Sequence, residues 1–332
     1  MNKLKIGIIG FGKMGKIRQK AIEKSKRAEV VAVYDPNPIQ GLKSEIFVAN
    51  DPEEVLNFSI DAIFICTPNY LIKPLTVSAL EKGLHVFAEK PPGINVAETI
   101  LMQEVERKVE NKVLMFGFNH RHHGSVAHMK EIIENQSLGK ILWMRGRYGK
   151  EVDENYLKDW RVDPIKSGGG IMLDQGIHML DLMLYLGGNF DEVKAFVSNL
   201  YWNLPDIEDN VFAIFKNSET GLCASLHSTM TQWRYLFSLE LFLEKGALIL
   251  NGLKTSSGAY GDEVLTIRTN AQPFIAGKVN EEEEIHFKDD ISWDSEIIFF
   301  LDAIEHQKKP NMGSSADAVR LMSIIKKIYE NK

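Results

Sequence analysis

A glycine-rich turn near the start of the sequence constrains the fold more than any other feature. It follows an apolar run at 6–10, opens a helix-length segment, and consists of Gly10, Phe11, Gly12, Lys13, Met14 and Gly15. Glycines in this pattern permit a tight turn, let the backbone approach a pyrophosphate and allow close helix packing. The helix N-terminus then faces the phosphate charge. The pattern therefore predicts a dinucleotide-binding unit.

An acidic residue, Asp35, ends the second apolar run, 20 residues after Gly15. Its carboxylate can accept hydrogen bonds from an adenosine ribose and would repel a 2′-phosphate. No Arg or Lys follows until Lys43, so the sequence favours NAD over NADP as the cofactor. A related fold that binds another nucleotide, or none, is the alternative.

Strand-like and helix-like segments alternate over the first 119 residues. The strand-like runs are Ile6–Gly10, Val30–Tyr34, Ala62–Cys66, His85–Ala88 and Val113–Phe118. Asp51-Pro52 and Asn95–Glu98 carry the residue patterns that start helices. This alternation predicts a doubly wound, mostly parallel Rossmann sheet covered on both faces.

The pattern changes after residue 119, where strand-like segments follow one another at short spacing. Examples are Val193–Leu200, Val211–Phe215, Leu222–Thr229, Phe237–Leu243 and Ala247–Leu250. They predict an open-faced, mostly antiparallel sheet with helices on one side. The chain is 332 residues long, which favours two domains over one core. We predict a first domain over 1–119, with a final helix at about 315–332 packing back on it, and a second over 120–314.

Composition narrows the class of protein. The net charge is −6 without a sustained basic stretch, which argues against nucleic acid or anionic membrane as a partner. Cys66 and Cys223 are too few for a disulfide framework or a zinc site. The apolar N-terminal run is short and broken by glycines, and no stretch has a membrane-spanning length. We therefore expect a soluble, cytoplasmic protein.

A helix-length segment at 168–188 is apolar on almost every side. Asp174, His178 and Asp181 interrupt it at spacings that would place all three on one helical face. A helix apolar all round is usually buried, and buried carboxylates and imidazoles need partners. The alternative is a solvated stripe on a half-exposed helix, and this segment alone leaves both interpretations open.

A lysine follows the strand-like run at 85–88, in the sequence Glu89-Lys90-Pro91-Pro92-Gly93. Open α/β sheets bind ligands at the carboxyl ends of their strands, so Lys90 is well placed to face a substrate. Taken alone, it could equally be an ordinary surface lysine.

Three motifs in this order resemble the Gfo/Idh/MocA oxidoreductases, which include glucose–fructose oxidoreductases and inositol dehydrogenases. They are the turn at 10–15, Glu89-Lys90-Pro91, and the run Gly168-Gly169-Gly170 followed by Asp174, Gly176 and His178. The resemblance implies an NAD-binding first domain, a second domain for substrate binding and oligomerisation, and homodimers or homotetramers formed through the C-terminal sheet. It implies that Lys90, Asp174 and His178 are the catalytic residues and also contact the substrate.

Further positions follow from the same resemblance. It implies cofactor contacts at Thr67, Pro68, Asn69, Glu89, Lys90 and Asn119, and substrate contacts at Arg121, Trp160 and Arg161. Arg161 in a structural ion pair is an equal alternative. The family often has His three residues after the Asn, but this chain has Ile72, so no cofactor contact is assigned there.

The chemistry of alcohol oxidation suits these residue types. His178 would accept the hydroxyl proton and Lys90 would stabilise the developing alkoxide. Asp174 would hold the imidazole or a neighbouring substrate hydroxyl. We predict an NAD-dependent oxidoreductase acting on a secondary hydroxyl or ketone of a sugar, nucleotide sugar or cyclitol. The alternatives are an NAD-using glycosidase of the same superfamily and a non-catalytic dinucleotide sensor.

Two groups of polar residues remain outside this set. His120, His122, His123 and His128 follow no recognised ligand spacing, so we predict no metal site. Asp181 has no motif that supports a catalytic role, and we expect it to pair with an arginine or to cap backbone.

Overall fold

The computed structural model describes residues 3–255, 257–270 and 282–330, and the chain divides into two compact units. Unit 1 comprises Met1–Asn119, Ile165–Gly168 and Ser292–Met322. Unit 2 comprises His120–Pro164, Gly169–Ile291 and Ser323–Lys332. Residues 165–168 and 292–314, which we expected in the second domain, thus group with unit 1, and the final helix is divided between the units. The functional roles of the two domains stay predictions.

Strands and helices follow the predicted order. The strands are β1 (Leu4–Ile9), β2 (Ala28–Tyr34), β3 (Phe47–Val48), β4 (Ala62–Ile65), β5 (His85–Glu89), β6 (Leu114–Gly117), β7 (Ile141–Glu151), β8 (Glu192–Ser198), β9 (Asn210–Lys216), β10 (Cys223–Thr229), β11 (Thr231–Leu243), β12 (Gly246–Asn251), β13 (Glu263–Thr269) and β14 (Glu282–Phe287). The helices are α1 (Lys13–Ser25), α2 (Pro52–Leu56), α3 (Asn69–Glu81), α4 (Val96–Lys108), α5 (Gly124–Glu134), α6 (Pro164–Ser167), α7 (Ile177–Gly187), α8 (Ser292–Glu305) and α9 (Ser315–Tyr329). A π-helical turn at Met172–Gly176 precedes α7.

Unit 1 is built on a six-stranded parallel sheet in the order β3-β2-β1-β4-β5-β6. The strand order reverses between β1 and β4, which is where such sheets bind ligands. The prediction of a doubly wound parallel sheet is confirmed. The short β3 was not predicted, because two residues carry no readable periodicity.

Aromatic packing brings a distant helix onto this sheet. Phe64 and Phe87 stack with ring centroids 4.7 Å apart, and both meet the edge of Phe300 on α8, at 5.4 and 5.5 Å. All three rings are fully buried. The core of unit 1 therefore depends on a helix that lies some two hundred residues later in the chain.

The predicted helix starts are confirmed. Asp51 accepts a hydrogen bond from the Glu54 backbone N–H, and Asn95 accepts one from that of Glu98. Glu98 also accepts from the Ile94 backbone N–H, so side chain and backbone groups satisfy one another at the start of α4.

Unit 2 contains an eight-stranded sheet in the order β14-β13-β12-β11-β7-β10-β9-β8. Its neighbours are antiparallel except β7 and β10, which run parallel. Helix α7 packs so closely on one face that a Cβ at Gly146 would lie 2.5 Å from the sulfur of Met179. The other face exposes Phe196, Phe212 and Ile214, with 79%, 52% and 58% of their surface accessible. The predicted open-faced sheet is confirmed.

The apolar segment at 168–188 is buried, as the first of its two interpretations required. His178 is 5% exposed and Asp181 is 1% exposed. The expectation that Asp174 shares their helical face is wrong in detail, because Asp174 lies in the π-helical turn before α7 begins. Among the described helices, none combines the length and apolar character needed to cross a membrane.

Candidate active site

The glycine turn of unit 1 forms a cradle that larger residues would fill. Gly10 has a φ of +90°, and a Cβ there would lie 2.4 Å from the carbonyl oxygen of Cys66. A Cβ at Gly15 would lie 2.3 Å from the Gly10 carbonyl oxygen. At Gly12 the nearest described atom would be Oδ2 of Asp35, at 3.9 Å, so this position is open. The turn has both the tightness and the open backbone that a pyrophosphate requires.

Asp35 lies at the end of β2 beside this cradle. Its Oδ1 accepts hydrogen bonds from the backbone N–H and side-chain amide of Asn37, at 2.9 and 3.1 Å. Its Oδ2 is the atom that faces Gly12. Lys43, the first basic residue after Asp35, pairs with Glu23 at 3.3 Å. A carboxylate acceptor beside a glycine cradle fits the ribose of a dinucleotide, whose hydroxyls donate hydrogen bonds.

The other residues predicted to contact the cofactor in this part of unit 1 differ in what they offer. Phe11 is 3% exposed and packs in the core, so it could contribute only backbone. Lys13 and Met14 form the start of α1. The hydroxyl of Thr67, after β4, is buried and has no hydrogen-bond partner among the described residues. It is therefore available to a ligand. Pro68 precedes α3, and Asn69 donates to the Ser167 carbonyl at 2.8 Å.

Glu89, the last residue of β5, is held by a buried arginine. Nε of Arg18 donates to its Oε1 at 2.7 Å, and Nη1 donates to Glu296 Oε2 at 2.5 Å. The guanidinium lies 4.4 Å from the ring centre of Phe87 and 4.8 Å from that of Trp293. Arg18 is fully buried, so its positive charge needs such partners. Arg18, on α1, thus holds Glu89, the motif residue that precedes Lys90, in place.

The loop after Lys90 is fixed from α4. The Thr99 hydroxyl donates to the Pro92 carbonyl at 2.5 Å, and Gly93, with a φ of +90°, leaves no room for a Cβ against Glu98. At the end of β6, Asn119 is 5% exposed and donates to the Ser292 hydroxyl at 3.1 Å. Lys90 is therefore carried on a rigid strand end, which suits a residue that must be positioned.

The glycine run before Asp174 allows a buried carboxylate to cap the π-helical turn. In unit 2, Glu208 accepts hydrogen bonds from the backbone N–H groups of Gly170 and Met172 and from the Tyr329 hydroxyl, at 2.8 to 2.9 Å. A Cβ at Gly170 would lie 2.1 Å from the Glu208 carbonyl oxygen. Burial raises the pKa of Glu208 despite these donors. Only glycine permits this approach, which explains Gly170 in the sequence motif.

Asp174 pairs with cations that the sequence analysis did not assign to it. Lys150, on β7, donates to its Oδ2, and Nε of Arg161 lies 4.0 Å from its Oδ1. Lys150 was missed because it lies 24 residues away. Strand alternation could have found it, because Met144, Gly146, Tyr148 and Lys150 share the covered face of β7.

His178 is positioned by a second histidine. Its ring stacks on that of His120, with centroids 3.9 Å apart and planes 15° apart. Nε2 of His120 lies 3.0 Å from the Tyr148 hydroxyl. Burial, and then the neighbouring Tyr260, raise the pKa of Tyr148, which keeps that hydroxyl protonated. The imidazole predicted to act as base is thus part of a buried polar cluster.

Asp181 pairs with an arginine, as expected. Nε and Nη2 of Arg121 donate to its two oxygens at 2.8 and 2.6 Å, and both side chains are almost fully buried. Two hydrogen-bond donors of the Arg121 guanidinium are therefore engaged by Asp181.

Arg161 donates to Asp159 at 2.9 Å and lies over the ring of Trp160. Its alternative role as an ion-pair residue therefore has direct support.

The remaining histidines contact different partners. His123 Nδ1 lies 2.8 Å from Glu263, and His128 lies 3.6 Å from Glu131 on the surface. His122 belongs to the 3₁₀ turn at Asn119–His122. Over the ranges that the structure describes, no group of three His, Cys, Asp or Glu residues is arranged to hold a metal ion.

Comparison with known proteins identifies the family. Residues 4–118 match the model of the oxidoreductase family with an NAD-binding Rossmann fold, and residues 126–249 match the GFO/IDH/MocA C-terminal domain. The chain is 26% identical over 272 residues to myo-inositol 2-dehydrogenase of Thermotoga maritima, covering 78% of this chain and 79% of that protein. It is 32% identical over 191 residues to glucose-6-phosphate 3-dehydrogenase of Bacillus subtilis, a match that spans about half of each, 55% and 53%.

A solved structure shares the complete fold. The structure of levoglucosan dehydrogenase in complex with NADH superposes with a TM-score of 0.86 at 23% identity, over 99% of this chain and 97% of that one. The two family models together span more than two thirds of the sequence. The chain therefore belongs to the GFO/IDH/MocA family of oxidoreductases, whose N-terminal domain is an NAD-binding Rossmann fold.

Proposed function

We propose that this oxidoreductase transfers a hydride between nicotinamide and a secondary hydroxyl or ketone of a sugar, nucleotide sugar or cyclitol. The observation that carries the proposal is a family match to an NAD-binding domain in a chain whose unit 2 pairs Asp174 with Lys150 and stacks the buried His178 on His120. The names of two relatives, myo-inositol 2-dehydrogenase and glucose-6-phosphate 3-dehydrogenase, support a cyclitol or a sugar as the substrate.

NAD is the proposed cofactor, in preference to NADP. The glycine cradle would hold its pyrophosphate, and Asp35 would accept the ribose hydroxyls while repelling a 2′-phosphate. Thr67, Pro68, Asn69, Glu89, Lys90 and Asn119 are the further proposed contacts. When bound, NAD⁺ supplies the hydride acceptor, and the protein supplies orientation and charge.

In this proposal each polar residue has a separate task. His178 accepts the hydroxyl proton, and the ammonium of Lys90 stabilises the alkoxide that develops. Asp174 lies between two cations, Lys150 and Arg161, so it is suited to accept a hydrogen bond from a neighbouring substrate hydroxyl. Trp160 and Arg161 would contact the substrate. Arg121 would support the site without contacting the substrate, because Asp181 engages its guanidinium.

We also propose a homodimer or homotetramer formed through the open face of the unit 2 sheet. Phe196, Phe212 and Ile214 expose a contiguous apolar area there, beside grooves of about 400 and 520 Å³. Such patches on a monomer mark interaction surfaces.

We further propose a reducing, cytoplasmic location, which is supported by Cys66 and Cys223 being free thiols.

Absorbance of NADH tests the proposal. Purified protein supplied with NAD⁺ and a panel of sugars and cyclitols should generate NADH with at least one of them. Lys90→Ala and His178→Ala should each lower turnover by about 10²- to 10⁴-fold while NADH still binds, because both act on the reacting atoms. Undiminished activity in both variants would contradict the assignment.

A further inference from the structure

A pocket in unit 2 has Lys150, the ion-pair partner of Asp174, in its lining. It has a volume of about 510 Å³, and its polar and aromatic lining includes Lys150, Glu151, Asp153, Tyr156, Asp159 and Tyr235. Lys150 connects it to the candidate active site, because the same ammonium donates to Asp174. This size suits a ligand of a few rings or smaller.

The positive charges at this pocket are paired with carboxylates. Lys150 donates to Asp174 and lies 4.6 Å from the ring centre of Tyr156. Arg161 donates to Asp159 at 2.9 Å, and its Nε lies 4.0 Å from Asp174. Drawing either cation away to bind an anionic group would weaken its pairing with a carboxylate, which is unfavourable in a partly buried site.

The lining itself carries more negative than positive charge. Among its charged residues, Lys150 is a cation while Glu151, Asp153 and Asp159 are carboxylates. The side-chain hydrogen bond from Asn155 lowers the pKa of Asp153, which is therefore ionised near neutral pH. A phosphate group entering this pocket would meet a surplus of like charge, and like charges at short range repel.

Tyr156 offers a hydrogen bond without a charge. Its hydroxyl oxygen is buried and has no hydrogen-bond partner among the described residues. Burial, and then the charge of Asp174, raise the pKa of Tyr156, so the hydroxyl stays protonated and can donate. A buried polar group of this kind is satisfied by a ligand oxygen or a water. Tyr235 adds a second aromatic wall of the type that packs on sugar rings.

We propose that this pocket is a substrate subsite for an uncharged polyol, and that it discriminates against phosphorylated sugars and nucleotide sugars. The inference rests on the proposed function and narrows its substrate class. Tyr156 donates to a hydroxyl of the substrate, Asp174 accepts from another, and the carboxylates of the lining exclude an anionic substituent.

Matched substrate pairs test the inference. For glucose against glucose 6-phosphate, and myo-inositol against an inositol monophosphate, kcat/KM of the uncharged member should be higher by about tenfold or more at low salt. The ratio should shrink as salt rises, because the lining carboxylates are partly exposed. Equal or better turnover of the phosphorylated members overturns the inference alone. Turnover of no member of the panel removes the proposed function and the inference with it.

Three variants and one control separate the contributions of the lining residues. Glu151→Gln should reduce the discrimination ratio, while Glu219→Gln, an exposed carboxylate on a turn elsewhere in unit 2, should leave it unchanged. Lys150→Met should lower kcat/KM by a similar factor for both members of a pair, and a larger loss for the phosphorylated member would show that Lys150 binds phosphate. Tyr156→Phe should raise KM for the uncharged member by about tenfold without changing NADH binding. An unchanged KM would contradict its role as donor.

Discussion

The imidazole rings of His120 and His178 lie face to face, with their centroids 3.9 Å apart. His120 is fixed in turn by the Tyr148 hydroxyl, 3.0 Å from its Nε2, and by the edge of the His123 ring, with centroids 5.6 Å apart. Because a stacked neighbour limits rotation about the side-chain bonds, this contact determines the plane in which His178 presents its nitrogen atoms. We propose that His120 positions His178, the proposed base.

Replacement of His120 tests that proposal. His120→Ala should lower kcat by roughly 10- to 100-fold, because small displacements of a catalytic group have effects of this size. His120→Phe keeps an aromatic ring against His178 and should retain more activity than His120→Ala. The measurement is kcat with KM for NAD⁺, which should not change. Equal activity of the two variants would show that stacking does not position His178.

Asp35 should determine the choice of cofactor. Asp35→Asn removes the charge that repels a 2′-phosphate and weakens acceptance of the ribose hydroxyls, so KM for NAD⁺ should rise by about tenfold and the preference over NADP⁺ should shrink. Glu29→Gln is the matched control, because Glu29 lies on the same strand in an exposed pair with Lys3. A preference for NAD⁺ that survives Asp35→Asn would place the discrimination elsewhere.

The buried pair of Arg121 and Asp181 should contribute to stability rather than to chemistry. Arg121→Met leaves a buried carboxylate without its cation and should lower the free energy of unfolding of unit 2 by about 3–5 kcal/mol. Arg121→Met/Asp181→Leu should recover part of this loss. Lys216→Met, at an exposed pair with Glu192, should leave the free energy of unfolding nearly unchanged. Urea unfolding measures the free energy of unfolding of all three variants. A loss in Arg121→Met no larger than that in Lys216→Met would contradict the structural role of the buried pair.

His85 should make stability depend on pH on the acid side. The Val113 backbone N–H donates to its Nδ1 at 3.2 Å, and burial followed by the charge of Lys112 lowers the pKa of His85 from 6.5 to about 4. Between these values the unfolded chain binds a proton that the folded chain does not. The contribution of His85 is therefore present above pH 6.5 and is lost as the pH falls towards 4.

Thermal unfolding across this pH range measures the effect. His85→Gln should show a shallower fall in melting temperature between pH 6.5 and 4 than the parent protein. His286→Gln, at an exposed position on β14, should keep the parent slope. An unchanged slope in His85→Gln would assign the acid sensitivity to other groups.

Much of the fold could be predicted because its signals are local. The glycine turn, the caps at Asp51 and Asn95, and the change from alternating to consecutive strands all depend on neighbouring residues. Strands β13 and β14 lie within the region predicted to be strand-rich but were not identified individually. β14 is rich in glutamate and mostly exposed, so it lacks the apolar alternation of a half-buried strand.

The candidate site could be predicted only in part, because its partners come from distant segments. The pairing of Asp181 with an arginine could be expected from burial alone. Arg18 contacts Glu89 and Glu296, 71 and 278 residues away, and no local pattern indicates such a contact. The spacing of Arg18 from Gly15 and Ile22 could have indicated that Arg18 is buried and needs a carboxylate partner, because these three residues share the buried face of α1. The π-helical turn that separates Asp174 from His178 likewise has no recognised sequence signal.

Transfer of deuterium from substrate to cofactor tests the central claim most directly. A cyclitol or sugar deuterated at its carbinol carbons is incubated with the protein and NAD⁺, and the reduced cofactor is analysed by mass spectrometry. The account predicts reduced cofactor that carries one deuterium atom with the parent protein, and about 10²- to 10⁴-fold slower formation of this deuterated cofactor with His178→Ala under the same conditions. Reduced cofactor without deuterium, or equal deuterium transfer by His178→Ala, would contradict it.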